Sequence, residues 1–181
     1  MDKSTLSDLI ERSKLNDEKA FRKIVEGHQA MIYSVAFRIL CHEEEAKDIV
    51  QETFIRVWMN LTNFQADKKF STWLYAIATN LCLDKLKASK HRFKTDSIDE
   101  RSFDLISSDN TEQKLINSEL GKVISSLTNE LTPKQKIVFT LRYLEELEVD
   151  EIIKITGLSA EKIKSNLFLA RQTIREKLKK F

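Results

Sequence analysis

One helix organises this chain, and its sequence is FSTWLYAIATNLCLDKLK, from Phe70 to Lys87. Apolar side chains recur in it at spacings of three and four residues, which predicts an amphipathic helix. The predicted buried stripe consists of Leu74, Ile77, Ala78, Leu81 and Cys82. A second face, with spacings near seven, carries Trp73, Asn80 and Lys87. The helix therefore has one side for packing and another side that is suited to binding.

The second face has the chemistry of a surface for a single nucleic-acid strand. An aromatic ring stacks on a base, an amide reads a base edge, and an ammonium group neutralises a phosphate. Five lysines and arginines, with no acidic residue among them, follow between residues 85 and 94. The alternative interpretation is a core helix with a solvated basic end, and this stretch alone leaves both open.

Composition predicts an all-α protein. Three glycines and one proline in 181 residues are too few for a protein built of hairpins and turns. A charged fraction of 32% beside an apolar fraction of 41% is typical of a soluble helical protein. The length is enough for one medium domain or two small ones.

Charge and hydropathy limit the possible partners. The formal net charge is only +2, so nucleic-acid binding has to come from local basic patches. No apolar run approaches the ~20 residues that cross a bilayer. The amino-terminal segment MDKSTLSDLIERS has no apolar signal-peptide core. We therefore expect a cytoplasmic protein without membrane insertion.

The cysteines and histidines predict no metal site and no cofactor. Cys41 and Cys82 belong to no CxxC pair, and the neighbours Cys41 and His42 would point about 100° apart on a helix. We expect both cysteines to be reduced thiols that pack as small apolar residues in a reducing compartment. With so few glycines a phosphate-binding loop is nearly excluded, and no catalytic constellation is evident, so an enzyme is the least favoured class.

A helix is also predicted from about Glu43 to Leu61, and its two faces differ. Its first ten residues carry five acids against one lysine, a net charge of −4 that favours a helix amino terminus. The core stripe is predicted at Ala46, Ile49, Val50, Thr53, Phe54, Val57, Trp58 and Leu61. The opposite face carries Asp48, Gln51, Glu52, Ile55 and Met59. Apolar groups rimmed by acids suit docking of a basic partner, and two stray surface hydrophobes are the alternative.

The pattern divides the chain into two small helical domains joined by an acidic linker. We expect the first domain at residues 1–94, the linker at 95–110 and the second domain at 111–181. The linker is rich in serine and aspartate and sparse in apolar groups. Within the first domain, residues 62–69 (TNFQADKK) form a polar loop with one aromatic, Phe64, which leads into the organising helix.

The second domain has the layout of a helix-turn-helix. Gly157 is placed to supply a left-handed turn, and Ser159 is placed to cap the next helix. Inward positions of that helix are predicted at Ile163, Leu167, Ala170, Ile174 and Leu178. Residues 159–181 carry seven basic and two acidic side chains, a net charge of +5 that suits a major groove. A helical hairpin with a lysine-rich tail is the alternative.

Three segments, in this order, resemble the bacterial sigma factors of the extracytoplasmic-function (ECF) type, within the sigma-70 family. They are AKDIVQETFIRVW (Ala46–Trp58), the organising helix, and the helix-turn-helix region Leu131–Leu178. The resemblance covers nearly the whole chain, and three motifs in register are more specific than a helix-turn-helix alone. It implies a protein that binds core RNA polymerase, recognises promoter DNA and helps open it, directing transcription initiation at a specific regulon. A cognate anti-sigma factor is implied as a further partner.

The resemblance also implies roles for individual residues. Docking on core polymerase is implied for Asp48, Gln51, Glu52 and Phe54, and Ile55 joins them from the outer helix face. Capture of the −10 element as a single strand is implied for Phe64, Phe70, Trp73, Asn80 and Lys87. Recognition of the −35 element is implied for Lys162, Lys164, Ser165, Asn166 and Arg171. Many relatives have arginines where this chain has Asn166 and Leu169, so we expect weak duplex binding by the second domain alone.

Two other functions account for parts of the chain. A free-standing helix-turn-helix regulator that binds duplex DNA as a dimer explains residues 131–181, but it leaves the Trp73 face and the acidic helix without a role. Co-purification with core polymerase separates these two hypotheses. A helical adaptor without a nucleic-acid role predicts that neutralising Lys162, Lys164 and Arg171 leaves activity intact.

Overall fold

The structure is a computed structural model that describes residues 3–65, 68–95 and 111–179, and these ranges contain eight α-helices and no strand. The helices are α1 (Lys3–Lys14), α2 (Glu18–Leu40), α3 (Glu43–Asn60), α4 (Phe70–Thr95), α5 (Thr111–Thr128), α6 (Pro133–Phe139), α7 (Val149–Thr156) and α8 (Ala160–Leu178). A 3₁₀ turn, Leu61–Asn63, follows α3, and a π-helical turn, Thr140–Leu144, follows α6. The predicted all-α fold is confirmed. Residues 96–110 of the predicted linker lie outside the described residues.

Local capping sets the ends of the helix-turn-helix elements. Gly157 ends α7 with a φ of 67°, and its N–H donates to the carbonyl of Ile153 at 2.8 Å. Such a left-handed conformation costs glycine little because it has no Cβ. Ser159 then caps α8, its hydroxyl oxygen accepting from the N–H of Lys162 at 3.4 Å. The predicted glycine turn and serine cap are therefore confirmed.

In the first half, α2 packs against α1, α3 and α4. The stripe predicted for α4 is buried, with Leu74, Ala78 and Cys82 fully enclosed and Leu81 at 7% exposure. Ile77 is only half-buried. The period of three and four residues thus identified the packing side of α4 correctly at four of its five positions.

In the second half, α8 packs on α6 and α7. Ile163, Leu167 and Ala170 are buried as predicted. The prediction for Leu178 is wrong, because this side chain is 57% exposed. The buried positions of α8 stop at Ala170. Near its carboxyl end the helix contacts α5, where the Nζ of Lys177 donates to the carbonyl of Ser126 at 2.6 Å.

The two halves pack against each other, which the sequence did not predict. Helix α4 of the first half contacts α6 and α7 of the second. Ile137, Val138 and Ile155 of the second half belong to the same continuous apolar core as Leu74 and Ala78 of α4. An apolar pattern marks the face that is buried, and it does not name the neighbour that buries it.

Candidate polymerase and nucleic-acid interfaces

The outer face of α3 is exposed and acidic, in agreement with its pattern. The Asp48 side chain is 67% exposed, and Ile55 and Met59 are 53% and 72% exposed. The Nε of Arg56 donates to Oε1 of Glu52 at 2.7 Å, one turn along the same face. Two apolar side chains therefore project beside carboxylates from an open helix face.

Phe54 lies behind this face. Its ring is 6% exposed and meets the ring of Phe21 edge-on, with centroids 6.4 Å apart. Phe21 in turn packs on Trp58 at a centroid distance of 4.7 Å. Because its ring is enclosed, Phe54 holds α3 in position and does not offer a surface to a docked protein.

A shallow cleft of about 500 Å³ lies between α3 and α4. Its lining includes Asp48, Gln51, Glu52, Ile55, Arg56 and Lys85. The Nζ of Lys85 donates to Oδ2 of Asp48 at 3.3 Å across this cleft. The basic run of α4 therefore begins against the acidic face of α3, and the two charged patches are neighbours.

A second cleft of about 320 Å³ also lies between α3 and α4. It is lined by Arg56, Asn60, Asn63, Trp73, Ile77 and Asn80. Trp73 and Asn80, which the sequence placed on one helix face, thus meet in one concave site. The Nδ2 of Asn60 donates to the carbonyl of Arg56 at 2.9 Å, and this hydrogen bond orients the Asn60 side chain. One ligand in this cleft would meet an aromatic ring, amides and a guanidinium group.

Sequence reasoning missed three residues of this second cleft, namely Arg56, Asn60 and Asn63. Arg56 and Asn60 are four residues apart and share a side of α3, so their spacing was a usable signal. Asn63 ends the 3₁₀ turn, and its place in the cleft depends on how that turn brings the chain toward α4. No sequence pattern carried that information.

Phe64 and Phe70 are buried beside Trp73. They are 8% and 4% exposed, and Phe64 stacks on the indole with centroids 5.1 Å apart. Phe64 also meets Phe70 edge-on at 5.2 Å. A nucleic-acid base cannot stack on rings enclosed in this way, so the implied contact role of these two residues is corrected to support of Trp73. The indole itself is half-buried.

Lys87 lines neither cleft, although it shares the predicted face of α4 with Asn80. Its side chain is 55% exposed, and its Nζ lies 4.0 Å from Oδ1 of Asp84. Seven residues of helix separate Lys87 from Asn80, which is about 10 Å along the axis. The position suits a phosphate contact outside the second cleft.

The outer face of α8 is exposed from its first turn. The exposed residues among those implied in DNA reading are Lys162, Lys164, Ser165 and Arg171. Asn166 is half-buried, and its Nδ2 donates to the carbonyl of Lys162 at 2.7 Å. Phe168 and Leu169 are 61% and 43% exposed on the same helix. The face is therefore mixed, with cations flanking two apolar side chains.

No metal or membrane-spanning feature occurs in the ranges that the structure describes. There, no three His, Cys, Asp or Glu side chains cluster in a way that could hold a metal ion. No helix in the same ranges combines the length and the apolar character that crossing a membrane requires.

Comparison with known proteins identifies the family. A model described as Sigma-70 region 2 matches residues 24–92, and a model described as Sigma-70, region 4 matches residues 122–174. The ECF RNA polymerase sigma factor SigW of Bacillus subtilis is 32% identical over 177 residues, which cover 94% of this chain and 95% of that protein. The chain belongs to the ECF RNA polymerase sigma factors. The ECF RNA polymerase sigma-E factor of Haemophilus influenzae is 30% identical to this sigma factor over 177 residues, covering 94% of the chain and 93% of that protein.

Two solved structures share the fold of this sigma factor. CnrH in complex with the cytosolic domain of CnrY matches with a TM-score of 0.69 at 22% identity, over 97% of each chain. The sigma factor RpoE in complex with the anti-sigma factor NepR, from Bartonella quintana, matches with a TM-score of 0.66 at 19% identity, over 89% of this chain and 98% of that one. At these identities the likeness concerns the fold alone.

As a member of this family, the sigma factor binds core RNA polymerase, recognises promoter DNA and directs transcription initiation. The region 2 match contains all of α3 and most of α2 and α4, and therefore both clefts. The region 4 match contains α6, α7 and most of α8.

Proposed function

We propose that this sigma factor divides promoter recognition between two domains. Residues 1–94 bind core polymerase and the opened −10 strand, residues 111–181 bind the −35 duplex, and residues 95–110 link them. The observation that carries the proposal is the second cleft, where Trp73 and Asn80 converge with further polar side chains. A protein that opens DNA has to offer replacement contacts for the unstacked bases.

Polymerase docking is assigned to the outer face of α3, through Asp48, Gln51, Glu52 and Ile55. The exposure of Ile55 and Met59 beside carboxylates supports this assignment, because an apolar centre with a charged rim is typical of protein interfaces. Phe54 contributes from behind by fixing the helix. The neighbouring Lys85–Asp48 pair sets a boundary between the docking face and the basic run of α4.

Capture of the −10 strand is assigned to the second cleft. A base enters beside Trp73, and the amides of Asn60, Asn63 and Asn80 supply donors and acceptors for its edge. Arg56 and Lys87 neutralise flanking phosphates. Stacking of one base on Trp73 contributes roughly 1–3 kcal/mol, which offsets about one step of unstacking, and the polar contacts of the cleft add to it.

Recognition of the −35 duplex is assigned to α8, with Lys162, Lys164, Ser165, Asn166 and Arg171 in the major groove. The exposure of four of these residues supports the assignment. Because Asn166 donates one N–H to the Lys162 carbonyl, its amide oxygen and its second N–H are left to face a base. The polymerase holds both domains together, so two modest DNA contacts add up to tight promoter binding. Neither domain therefore needs high affinity by itself.

The protein acts in the cytoplasm with RNA polymerase, as a regulator and not as an enzyme. The two structural relatives named above were solved with CnrY and NepR, and a cognate anti-sigma factor is proposed here as well. Such a partner would cover the exposed face of α3 or the outer face of α8.

The assignment is tested by transcription with core polymerase on promoters first selected from genomic fragments. We expect Trp73→Ala and Asn80→Ala to lower open-complex formation at least tenfold, measured by permanganate reactivity of the −10 thymines. Binding of the −35 duplex should stay within twofold. Lys23→Ala, at an exposed position of α2 outside both clefts, is the control and should leave both measurements unchanged.

Equal loss of −10 opening and −35 binding in the two cleft variants would argue for a folding defect in place of strand capture. Failure of the unmodified protein to co-purify with core polymerase would remove the proposal altogether.

A further inference from the structure

Glu145 joins the two halves of the molecule. Its side chain follows the π-helical turn of the second half and is only 8% exposed. The Nη1 of Arg38 in α2 donates to its Oε1 at 2.8 Å, and the hydroxyl of Tyr75 in α4 donates to its Oε2 at 2.9 Å. Burial, together with the neighbouring Glu145, raises the pKa of Tyr75, so the hydroxyl keeps its proton and remains a donor. Arg38 also donates to the carbonyl of Leu144.

Further contacts extend this interface on both sides. Lys69, just before α4, pairs with Glu151 of α7 at 2.7 Å. A Cβ built on Gly121 of α5 would lie 3.1 Å from Cζ of Phe37 in α2, so these two helices approach closely. The interface therefore involves α2 and α4 on one side and α5, α6 and α7 on the other.

The packing brings the two assigned DNA sites close together. Asn80 of α4 and Leu158, two residues before α8, line one cavity of about 40 Å³. Lys162 and Lys164 follow Leu158 by four and six residues, so at a rise of 1.5 Å per residue both lie within roughly 10 Å of it along α8. The −10 and −35 elements are about 25 base pairs apart, which is roughly 85 Å of duplex at 3.4 Å per step.

We propose that the contacts around Glu145 form an autoinhibitory latch, which holds the second half against α4 and keeps the two DNA sites too close together to engage both promoter elements. This inference rests on the proposed assignment of those sites. The halves separate for promoter recognition, and loss of Glu145 favours separation. The apparent affinity for the promoter equals the affinity of the open form multiplied by the fraction of molecules that are open, so closure lowers it.

The two cysteines of the chain are reporters for this opening. Cys41 is 9% exposed, and Lys136 of α6 and Gly121 of α5 both lie against it. Cys82 is fully buried inside the first half. Separation of the halves therefore uncovers Cys41 and leaves Cys82 protected, whereas unfolding exposes both.

The experiment measures alkylation of the full-length protein by iodoacetamide, followed for each cysteine by peptide mass spectrometry. We expect slow reaction of both thiols in the unmodified protein. Glu145→Ala should raise the rate at Cys41 about tenfold and leave Cys82 unchanged, because charge-assisted hydrogen bonds are lost. Glu148→Ala is the matched control: this glutamate is 73% exposed and pairs with Arg142 within the second half, so neither rate should change.

Transcription from a selected promoter supplies the second measurement. The sigma concentration that gives half-maximal transcript should fall several-fold for Glu145→Ala and stay constant for Glu148→Ala. Should Glu145→Ala also expose Cys82, Tyr75→Phe, which removes a single hydroxyl, takes its place and should give the same pattern.

Three results would overturn the latch. They are rapid alkylation of Cys41 in the unmodified protein, an unchanged Cys41 rate in both latch variants, and an exposed Cys41 without any gain in transcription. Absence of promoter-directed transcription from every variant counts against the proposed function instead, and the alkylation rates still decide whether the halves are latched.

Discussion

The Nζ of Lys136 lies 3.9 Å from the Sγ of Cys41, and both residues are buried where α6 meets the end of α2. Burial lowers the pKa of Lys136 and raises the pKa of Cys41. A thiol is a weak hydrogen-bond acceptor. The Cys41 sulfur is therefore a poor replacement for the water molecules that the Lys136 ammonium group loses on burial.

Replacing Lys136 by methionine should stabilise the protein by about 1–2 kcal/mol at pH 7, because an apolar side chain of similar length fills the site without a buried charge. Since the folded pKa of Lys136 is lowered, the unfolded chain binds more protons between that pKa and the ordinary value of 10.5. The penalty is therefore complete below the folded pKa, and it disappears as the pH rises through this window.

Urea unfolding of the unmodified protein and of Lys136→Met at several pH values from 7 to 9 measures this effect. The gain in the free energy of unfolding should shrink as the pH rises. Cys41 also contributes above its ordinary value of 9.0, where its raised pKa acts in the opposite direction, and the loss of Lys136 changes that pKa, so the two proteins are compared below pH 9. Lys134→Met, at an exposed position of α6, is the control and should change stability by less than about 0.5 kcal/mol. A loss of stability in Lys136→Met at pH 7 would contradict the prediction.

Phe54→Ala and Ile55→Ala should separate packing from docking. The enclosed ring of Phe54 predicts a loss of about 3–5 kcal/mol in the free energy of unfolding. Ile55 is 53% exposed, so its substitution should cost less than about 0.5 kcal/mol and instead weaken binding to core polymerase. Urea unfolding and a polymerase competition assay measure the two effects. Unchanged polymerase affinity in Ile55→Ala would remove Ile55 from the docking face.

Gly157→Ala should destabilise the protein by about 1–2 kcal/mol, because a φ of 67° is a left-handed conformation that costs most L-residues this much. A Cβ at Gly157 meets no atom within 4 Å, so the cost arises in the backbone and not from a clash. Gly157→Asn is the comparison and should cost less, since asparagine tolerates this conformation. Equal stability of the alanine and glycine proteins in urea would show that the turn is not under this constraint.

Lys164→Ala and Arg171→Ala should each reduce the salt dependence of promoter binding. If each cation neutralises one phosphate, the slope of log K against log salt falls by about 0.9 per substitution. Gln172→Ala, an exposed neutral neighbour on α8, should leave the slope unchanged. Filter binding of the polymerase holoenzyme at several salt concentrations measures this slope. Unaltered slopes in both variants would place α8 away from the phosphates.

Much of this sigma factor follows from local rules. Gly157 and Ser159 set the helix-turn-helix ends through backbone conformation and one capping bond, both of which act within four residues. The buried stripe of α4 and the open face of α3 follow from helical periodicity. The order of the three motifs was enough to identify the family, and comparison with relatives confirmed that identification.

Two results depended on the tertiary structure. Phe64 and Phe70 carry the residue type that stacks on bases, and only packing shows that their rings are already enclosed beside Trp73. The partners of Glu145 are 70 and 107 residues away, so no local pattern relates them. Periodicity and capping depend on residues that are neighbours along the chain. The two clefts and the contacts of Glu145 depend instead on packing between segments that are distant in the sequence. For this reason the sequence alone decided the helices, their faces and the family, and folding decided which side chains meet.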